Sequence, residues 1–185
     1  MATLDRKGEP LLQPSVIRFI AALALVLLYS VPLNAQEAPS SAPPQATGLP
    51  LPRFVSLRAE EVNMRTGPGV RYPVDWVYKR KNMPVEVIAE FGTWRKVRDI
   101  QGTQGWIHQS MLSNSRWVTI TGQTRTLRRK PDSQAPAVAR IEPGASAQVL
   151  ECPEDTGWCR VSAGGHEGWL RRVEFWGLYP REQVK

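Results

Sequence analysis

The sequence predicts an all-β protein with two small barrels in tandem behind a segment of different composition. The stretch VNMRTGPGVRYPV at residues 62–74 returns in a rougher form, RTLRRKPDSQAPAV, about 63 residues later, which indicates two copies of one module. Short runs of alternating or β-branched apolar residues, such as PVEVIAEF and SAQVLEC, are separated by Gly and Pro clusters, as in strands joined by turns. No stretch after residue 52 keeps the apolar spacing of a helix.

Residues 1–35 predict an export signal. They hold the apolar run FIAALALVLLYSVPL, which follows a basic start and precedes the small residues of LNAQEA. This order is typical of a secretory signal peptide, here cleaved after Ala35. A spanning helix needs about 20 apolar residues and the run is shorter, so we expect cleavage. An uncleaved segment that anchors the protein in the inner membrane is the alternative.

Residues 36–52, QEAPSSAPPQATGLPLP, predict a disordered, extended linker, because they hold too few large apolar groups to offset the entropy of ordering. The whole chain carries a formal net charge of +7, which favours anionic partners such as lipid headgroups or envelope polymers. Its basic residues are scattered and an exported protein rarely meets nucleic acid, so we expect no nucleic-acid partner.

The repeat keeps its register through each copy. Asn63-Met64-Arg65 aligns with Thr126-Leu127-Arg128, TWRKV with GWCRV, and QGWI with EGWL. The copies span residues 53–114 and 115–176, and residues 177–185 form a C-terminal tail. About five short strands in each copy predict a small barrel that removes its own sheet edges.

The first copy combines the Asn-x-Arg strand, the turn Gly67-Pro68-Gly69, a Trp-x-x-Val strand and a closing Gly-Trp. This pattern resembles the bacterial SH3-like domain. The second copy has Thr126 for the Asn and Lys130 for the first Gly, and keeps LRRKPD, GWCRV and GWL. The ending VEFWGLYP resembles the tail of exported bacterial proteins with tandem SH3-like domains. The resemblance implies two SH3-like barrels that bind peptidoglycan, as such domains do beside wall-cleaving hydrolases.

The glycine-rich turn predicts local backbone constraints. Gly67 and Gly69 indicate a positive φ or a close backbone approach at one or both positions, while Pro68 fixes φ between them. Along the preceding strand, Asn63 alternates with apolar neighbours, so it faces away from the core. We expect its side chain to bond to nearby backbone.

Groups suited to catalysis are scarce. Cys152 and Cys159 flank PEDTGW, and in an exported chain this spacing predicts a disulfide. A nucleophile pair of Cys159 with His166 is the alternative. His108 and His166 are too few for a metal site, and no phosphate-binding loop follows TGPGV. We therefore predict no enzyme, no cofactor and no metal.

Aromatic and basic side chains predict a ligand site on the first copy. Aromatic rings beside cations suit wall peptides or proline-rich peptides, because the rings cover apolar groups and the arginines take carboxylates. Trp94 faces outward if Val97, three positions later, faces the core. The alternative is that the aromatic residues only complete the barrels. The predicted ligand-binding residues are Tyr72, Trp76, Tyr78, Arg71, Arg65 and Trp94.

These expectations together describe a non-catalytic, periplasmic or secreted binding module of the bacterial envelope. Its predicted partner is a cell-wall peptide or an envelope protein, bound mainly by the first copy. The alternative is an adaptor that regulates a separate enzyme and does not bind the wall. A membrane partner is expected only if the N-terminal segment stays uncleaved.

Overall fold

The computed structural model describes residues 47–154 and 156–185. The predicted signal segment and residues 36–46 of the predicted linker lie outside this part. The described residues form β-strands and two 3₁₀ turns, Gln109–Met111 and Arg172–Glu174. Within these residues no helix has the length and apolar character needed to cross a membrane.

Two seven-stranded sheets follow one another along the chain. The first holds β1 (Arg53–Leu57), β2 (Val62–Arg65), β3 (Val74–Tyr78), β4 (Pro84–Phe91), β5 (Trp94–Arg98), β6 (Gln104–His108) and β7 (Leu112–Ser113). The second holds β8 (Trp117–Ile120), β9 (Arg125–Arg128), β10 (Ala137–Ile141), β11 (Ser146–Glu151), β12 (Trp158–Ala163), β13 (His166–Arg171) and β14 (Phe175–Trp176). We call them the first and the second barrel.

The strand order is the same in both barrels. It runs β3-β2-β6-β5-β4-β1-β7 in the first and β10-β9-β13-β12-β11-β8-β14 in the second, so each strand corresponds to the one seven places later. All pairings between strands are antiparallel. The predicted all-β tandem architecture is confirmed.

Each barrel encloses its own apolar core, to which the alternating strand residues contribute. In β2, Val62 and Met64 are buried and Asn63 between them is exposed. The glycine of each closing Gly-Trp pair lets two strands cross closely. A Cβ at Gly105 would lie 2.5 Å from Met64 Cγ, and a Cβ at Gly168 would lie 2.6 Å from a backbone oxygen of β9. The glycine recurs because any side chain would push the strands apart.

Of the two features predicted for the Gly-Pro-Gly turn, a positive φ and a close approach to a glycine, the structure has the close approach. Neither Gly67 nor Gly69 has a positive φ. A Cβ at Gly67, however, would lie 2.5 Å from the ring of Tyr72. Gly67 is therefore needed because Tyr72 folds back over the turn.

Contacts at several points join the two barrels. The Phe54 ring lies 4.9 Å from Trp176 and 4.8 Å from Tyr179 between centroids. The Tyr179 hydroxyl donates to Glu86 Oε1 at 2.7 Å. Elsewhere, Arg80 Nη1 donates to the Gly144 carbonyl at 2.6 Å. These contacts place both barrels in one compact unit.

The segments beside the barrels are also attached to them. In the predicted tail, Leu178 and Val184 pack against the second core. Before β1, Thr47 donates from its backbone N–H at 2.9 Å and its hydroxyl at 2.8 Å to the Glu90 carboxylate, and Leu51 packs on the first core. Residues 47–52 therefore differ from the predicted disorder, because a buried carboxylate and an apolar core hold them.

Candidate ligand-binding surfaces

A groove crosses the outer face of the first barrel between β2, the start of β5 and the end of β6. Its volume is about 410 Å³, within the range of about 300–1,000 Å³ common for ligand pockets. We call it the first groove. It is lined by Glu61, Asn63, Arg65, Val70, Trp94, His108, Ser110 and Met111.

Trp94 forms the aromatic wall of the first groove. Strand β5 alternates regularly, so Arg95 and Val97 are buried while Trp94 lies on the opposite, outer face, as predicted. The His108 ring stands nearly perpendicular to it, with centroids 5.3 Å apart. His108 Nδ1 lies 2.8 Å from Ser110 Oγ, which fixes the orientation of the imidazole.

Arg65 holds the turn in place. Its Nη1 donates to the carbonyls of Val70 at 3.2 Å and Tyr72 at 2.7 Å, and the equivalent Arg128 donates to Ala135 O at 2.7 Å. Arg65 therefore has a structural role in the turn, and its predicted pairing with a ligand carboxylate stays a prediction. Asn63 is exposed, and its side chain forms no hydrogen bond with any described residue, so the expected bond to backbone is not made.

The second barrel carries a groove at the equivalent place, with a volume of about 190 Å³. Trp158 stands there at the position of Trp94. The other wall differs, because Arg171 Nη2 donates to Glu174 Oε1 at 2.9 Å, whereas His108 and Met111 line the first groove. The second groove is therefore smaller and partly filled by an ion pair. Its lining is Gln123, Thr124, Arg125, Thr126, Arg128, Ser133, Trp158, Arg171 and Glu174.

A larger cleft lies between the barrels, with a volume of about 840 Å³. We call it the inter-barrel cleft. Trp76 on the edge strand β3 projects into it and remains 55% exposed. The first barrel lines it with Trp76, Tyr78, Arg80, Met83, Asp99, Ile100, Gln101 and Thr103, and the second with Thr119, Ile120, Thr121, Gly122 and Gly144.

Tyr78 supports this cleft from within the core. It is only 4% exposed, and its hydroxyl donates to Asp99 Oδ2 at 3.0 Å. Burial, and then the charge and hydrogen bond of Asp99, raise the pKa of Tyr78, so the phenol stays neutral. Asp99 Oδ1 accepts from the backbone N–H of Gln101 at 3.0 Å and of Thr103 at 2.9 Å. This buried pair sets the shape of the loop at the edge of the cleft.

The structure divides the six predicted ligand residues among three places. Arg65 and Trp94 line the first groove, and Trp76 and Tyr78 line the inter-barrel cleft. Tyr72 covers Gly67, with the Arg71 guanidinium 5.2 Å from the ring centroid.

The predicted aromatic residues do not form one exposed cluster. Tyr72 packs on Gly67 and Tyr78 is almost fully buried, and the binding of a ligand by either residue stays a prediction. Sequence reasoning also missed Gln101, in the turn sequence DIQGT, and Arg80. Their loops carry turn signals, but no local pattern shows that they line a cleft shared with the other barrel.

The cysteines are joined in a disulfide. Cys152 and Cys159 are fully buried and bonded to each other, so the Cys159–His166 pair lacks the thiol it needs. Among the described residues, no group of three or more His, Cys, Asp or Glu side chains is arranged to hold a metal ion.

Comparison with known proteins identifies the repeated module. The model of the bacterial SH3 domain family matches residues 58–114 and, again, residues 122–177. A Bacillus subtilis protein described as a putative N-acetylmuramoyl-L-alanine amidase, YrvJ, is 24% identical over 125 residues. The match covers 62% of this chain and 24% of the relative, so this chain spans about a quarter of that protein.

Solved structures with matching regions include two proteins with NlpC in their names. NlpC1 from Trichomonas vaginalis aligns with a TM-score of 0.31 at 12% identity, over 71% of this chain and 48% of that one. An NlpC/P60 family protein from Bacillus cereus aligns with a TM-score of 0.30 at 16% identity, over 66% and 55%.

Proposed function

Because the chain belongs to the bacterial SH3 domain family, we propose that it is a non-catalytic binding module of the cell envelope whose first groove holds cell-wall peptides. The observation that supports this most is the open groove on the first barrel, which is walled by the outward-facing Trp94. The amidase name of the Bacillus subtilis relative points to the bacterial wall. The buried disulfide suits a location outside the cytoplasm.

The first groove offers the chemistry that a short wall peptide needs. Trp94 and Met111 present apolar surface to methyl groups, and Asn63 can bond to peptide amides. Glu61 is exposed at the edge and carries a carboxylate that suits a free amine. The second groove lacks this combination because the Arg171–Glu174 ion pair occupies it. We therefore place the main peptide site on the first barrel.

Sedimentation with purified peptidoglycan sacculi tests this function. The purified protein should pellet with intact sacculi, and markedly less of it should pellet with sacculi from which the peptides have been removed. Trp94→Ala should weaken binding by about tenfold or more, as expected for an aromatic anchor. Trp158→Ala, at the same place in the second barrel, is the matched control and should bind nearly as the wild type.

Two results would contradict the peptide site. One is equal binding to sacculi with and without peptides, and the other is equal loss in the two Trp variants. Circular dichroism must show that Trp94→Ala is folded. Should it unfold, Met111→Ala replaces it, because this groove residue is exposed and its truncation leaves the core intact.

An adaptor that binds an envelope protein is the second candidate. Strand β3 is an edge strand, and it exposes Val74 and Val77 beside Trp76. An unpaired edge of this kind can accept a strand from another protein. Failure to pellet with sacculi, together with crosslinking of β3 to one envelope protein, would favour the adaptor.

A further inference from the structure

We infer that the inter-barrel cleft binds a neutral oligosaccharide that carries N-acetyl groups. This site is separate from the first groove, and the inference does not depend on the proposed peptide binding. It is based on three properties of the cleft: an exposed aromatic platform, a lining whose charged groups already have partners, and apolar side chains beside free polar groups.

Trp76 provides the aromatic platform. Its indole is 55% exposed although it lies in a cleft, so the ring contributes little to either core. The equivalent position in the second barrel is Ala139, which shows that this strand forms in the same architecture without a large ring. The apolar C–H face of a sugar ring packs well on a flat indole, which covers large area at little entropic cost.

The charged groups of the cleft are engaged within the protein. Asp99 accepts hydrogen bonds from Tyr78 and from two backbone N–H groups. Arg80 donates to the Gly144 carbonyl across the cleft. Tyr78 is itself neutral because its pKa is raised by burial and by Asp99. Arg80 and Asp99 keep opposite charges that offset one another, and each is hydrogen-bonded to neutral groups. This part of the lining therefore favours neither an anionic nor a cationic ligand, and it suits a neutral one.

The remaining polar groups match a sugar. Gln101, Thr103 and Thr121 line the cleft, and their side chains form no hydrogen bond with other described residues. An amide and two hydroxyls can donate to and accept from sugar hydroxyls and an acetamide group. Met83 and Ile100 lie in the same lining and offer apolar surface for the acetyl methyl group. This mixture favours an N-acetylated sugar over a plain one.

The cleft is large enough and largely pre-formed. Its volume of about 840 Å³ is near the upper end of common ligand pockets, which leaves room for more than one ring. Asp99 fixes the loop that carries Gln101 and Thr103, and Arg80 joins the two walls. Groups that are already ordered lose less entropy when a ligand binds.

Calorimetric titration of the purified protein with two soluble probes tests the inference. Tetra-N-acetylchitotetraose should bind with a dissociation constant of about 1 mM or tighter. Cellotetraose, which has the same linkage without the acetamide groups, should bind about tenfold more weakly or worse. No binding of chitotetraose up to about 10 mM would overturn the inference, and equal affinity for both probes would overturn the N-acetyl preference.

Two pairs of variants test whether chitotetraose binds in the inter-barrel cleft. Trp76→Ala should weaken chitotetraose binding by about tenfold or more, whereas Val74→Ala, an exposed residue of the same strand outside the cleft, should leave it unchanged. If the circular dichroism spectrum shows that Trp76→Ala is unfolded, Gln101→Ala replaces it. Gln101→Ala should then weaken chitotetraose binding, and its matched control Gln104→Ala should not. Equal effects within either pair would refute the cleft as the site.

Trp94→Ala separates this inference from the peptide proposal. Its affinity for intact sacculi should fall to the level that the wild type shows for peptide-free sacculi, whereas it should bind chitotetraose as the wild type does. If the protein failed to bind the wall peptides but bound chitotetraose, the peptide proposal would fail and the cleft would stand as a sugar site. If chitotetraose failed to bind, the cleft inference would fail and the peptide proposal would stand.

Discussion

The β4–β5 and β11–β12 hairpins hold the same place in the two barrels but are closed by different chemistry. In the first barrel, Glu90 pairs with Arg95 across the hairpin, with Arg95 Nε 3.2 Å from Glu90 Oε1. Both side chains are almost fully buried. In the second barrel the buried pair at this place is the Cys152–Cys159 disulfide. One backbone arrangement therefore accepts either an ionic or a covalent closure.

The two closures depend on different parts of the chain. The ionic closure recruits groups from outside the hairpin, because Arg53 Nη2 lies 2.5 Å from Glu90 Oε1 and Thr47 also donates to that carboxylate. The disulfide needs only its two cysteines. We therefore expect the first barrel to respond to changes of charge and the second barrel to respond to reduction.

The largest effect is expected from Glu90→Ala. This change leaves Arg95 buried without its carboxylate partner, and removal of one member of a buried ion pair costs about 3–5 kcal/mol. Glu151→Ala is the matched control, because the Glu151–Arg160 pair in the second hairpin is about 40% exposed. Such a surface pair contributes about 1 kcal/mol or less. Urea denaturation measures both, and equal losses would show that the buried Glu90–Arg95 pair contributes no more than an exposed pair.

A somewhat smaller effect is expected from removal of the disulfide. Replacement of Cys152 and Cys159 by alanine should lower the free energy of unfolding of the second barrel by about 2–3 kcal/mol, because the bond closes only a short loop in the unfolded chain. Hydrogen exchange should accelerate in β11 and β12 and remain slow in β4 and β5. Unchanged exchange in β11 and β12 would contradict a stabilising role for the bond.

Local patterns in the sequence predicted the fold well. Alternation in β2, the closing Gly-Trp pairs and the Gly-Pro turn each act over a few residues, and all of them agree with two similar barrels. The disulfide was also predictable, since it depends on two cysteines close in the chain. Short-range constraints of this kind can be read directly from one sequence.

The candidate sites were less predictable because they depend on contacts between distant residues. The inter-barrel cleft exists because Arg80 reaches Gly144 and Phe54 packs on Trp176, and no local pattern encodes these pairs. The dispersal of the predicted aromatic residues over two places has a related reason. The pairing of β2 with β3 contains an irregularity near Arg65, so simple alternation does not tell which β3 side chains enter the core.

Arg65 and Arg128 hold the equivalent turns of the two barrels, and their substitution should have a smaller effect on stability than the loss of either hairpin closure. Arg65 donates to two turn carbonyls and Arg128 to one. Arg65→Lys should therefore cost about 1–2 kcal/mol, since lysine keeps the charge but not the planar fork, and Arg128→Lys should cost less. Thermal unfolding of the two variants measures the difference. A larger loss from Arg128→Lys would mean that the second turn depends more on its arginine than the hydrogen bonds indicate.

The smallest effect is the pH dependence of the ionic closure. Burial alone opposes ionisation of Glu90, but hydrogen bonds from Arg53 and Thr47 outweigh burial and lower the pKa of this carboxyl. A pKa that is lower in the folded state than in the unfolded chain means that ionised Glu90 stabilises the fold at neutral pH. This contribution is lost as the pH falls below about 4.3, the ordinary glutamate value, and through the lowered pKa.

Urea denaturation of the wild type and of Glu90→Gln between pH 7 and pH 3 measures this dependence. The difference in unfolding free energy should shrink toward acid pH, because a protonated glutamate and a glutamine are both neutral and both still accept hydrogen bonds from the arginines. The disulfide closure has no titrating group, so the difference between the wild type and the double Cys152→Ala, Cys159→Ala variant should stay constant over the same range. A constant difference for Glu90→Gln as well would show that the charge of Glu90 does not distinguish the two hairpins.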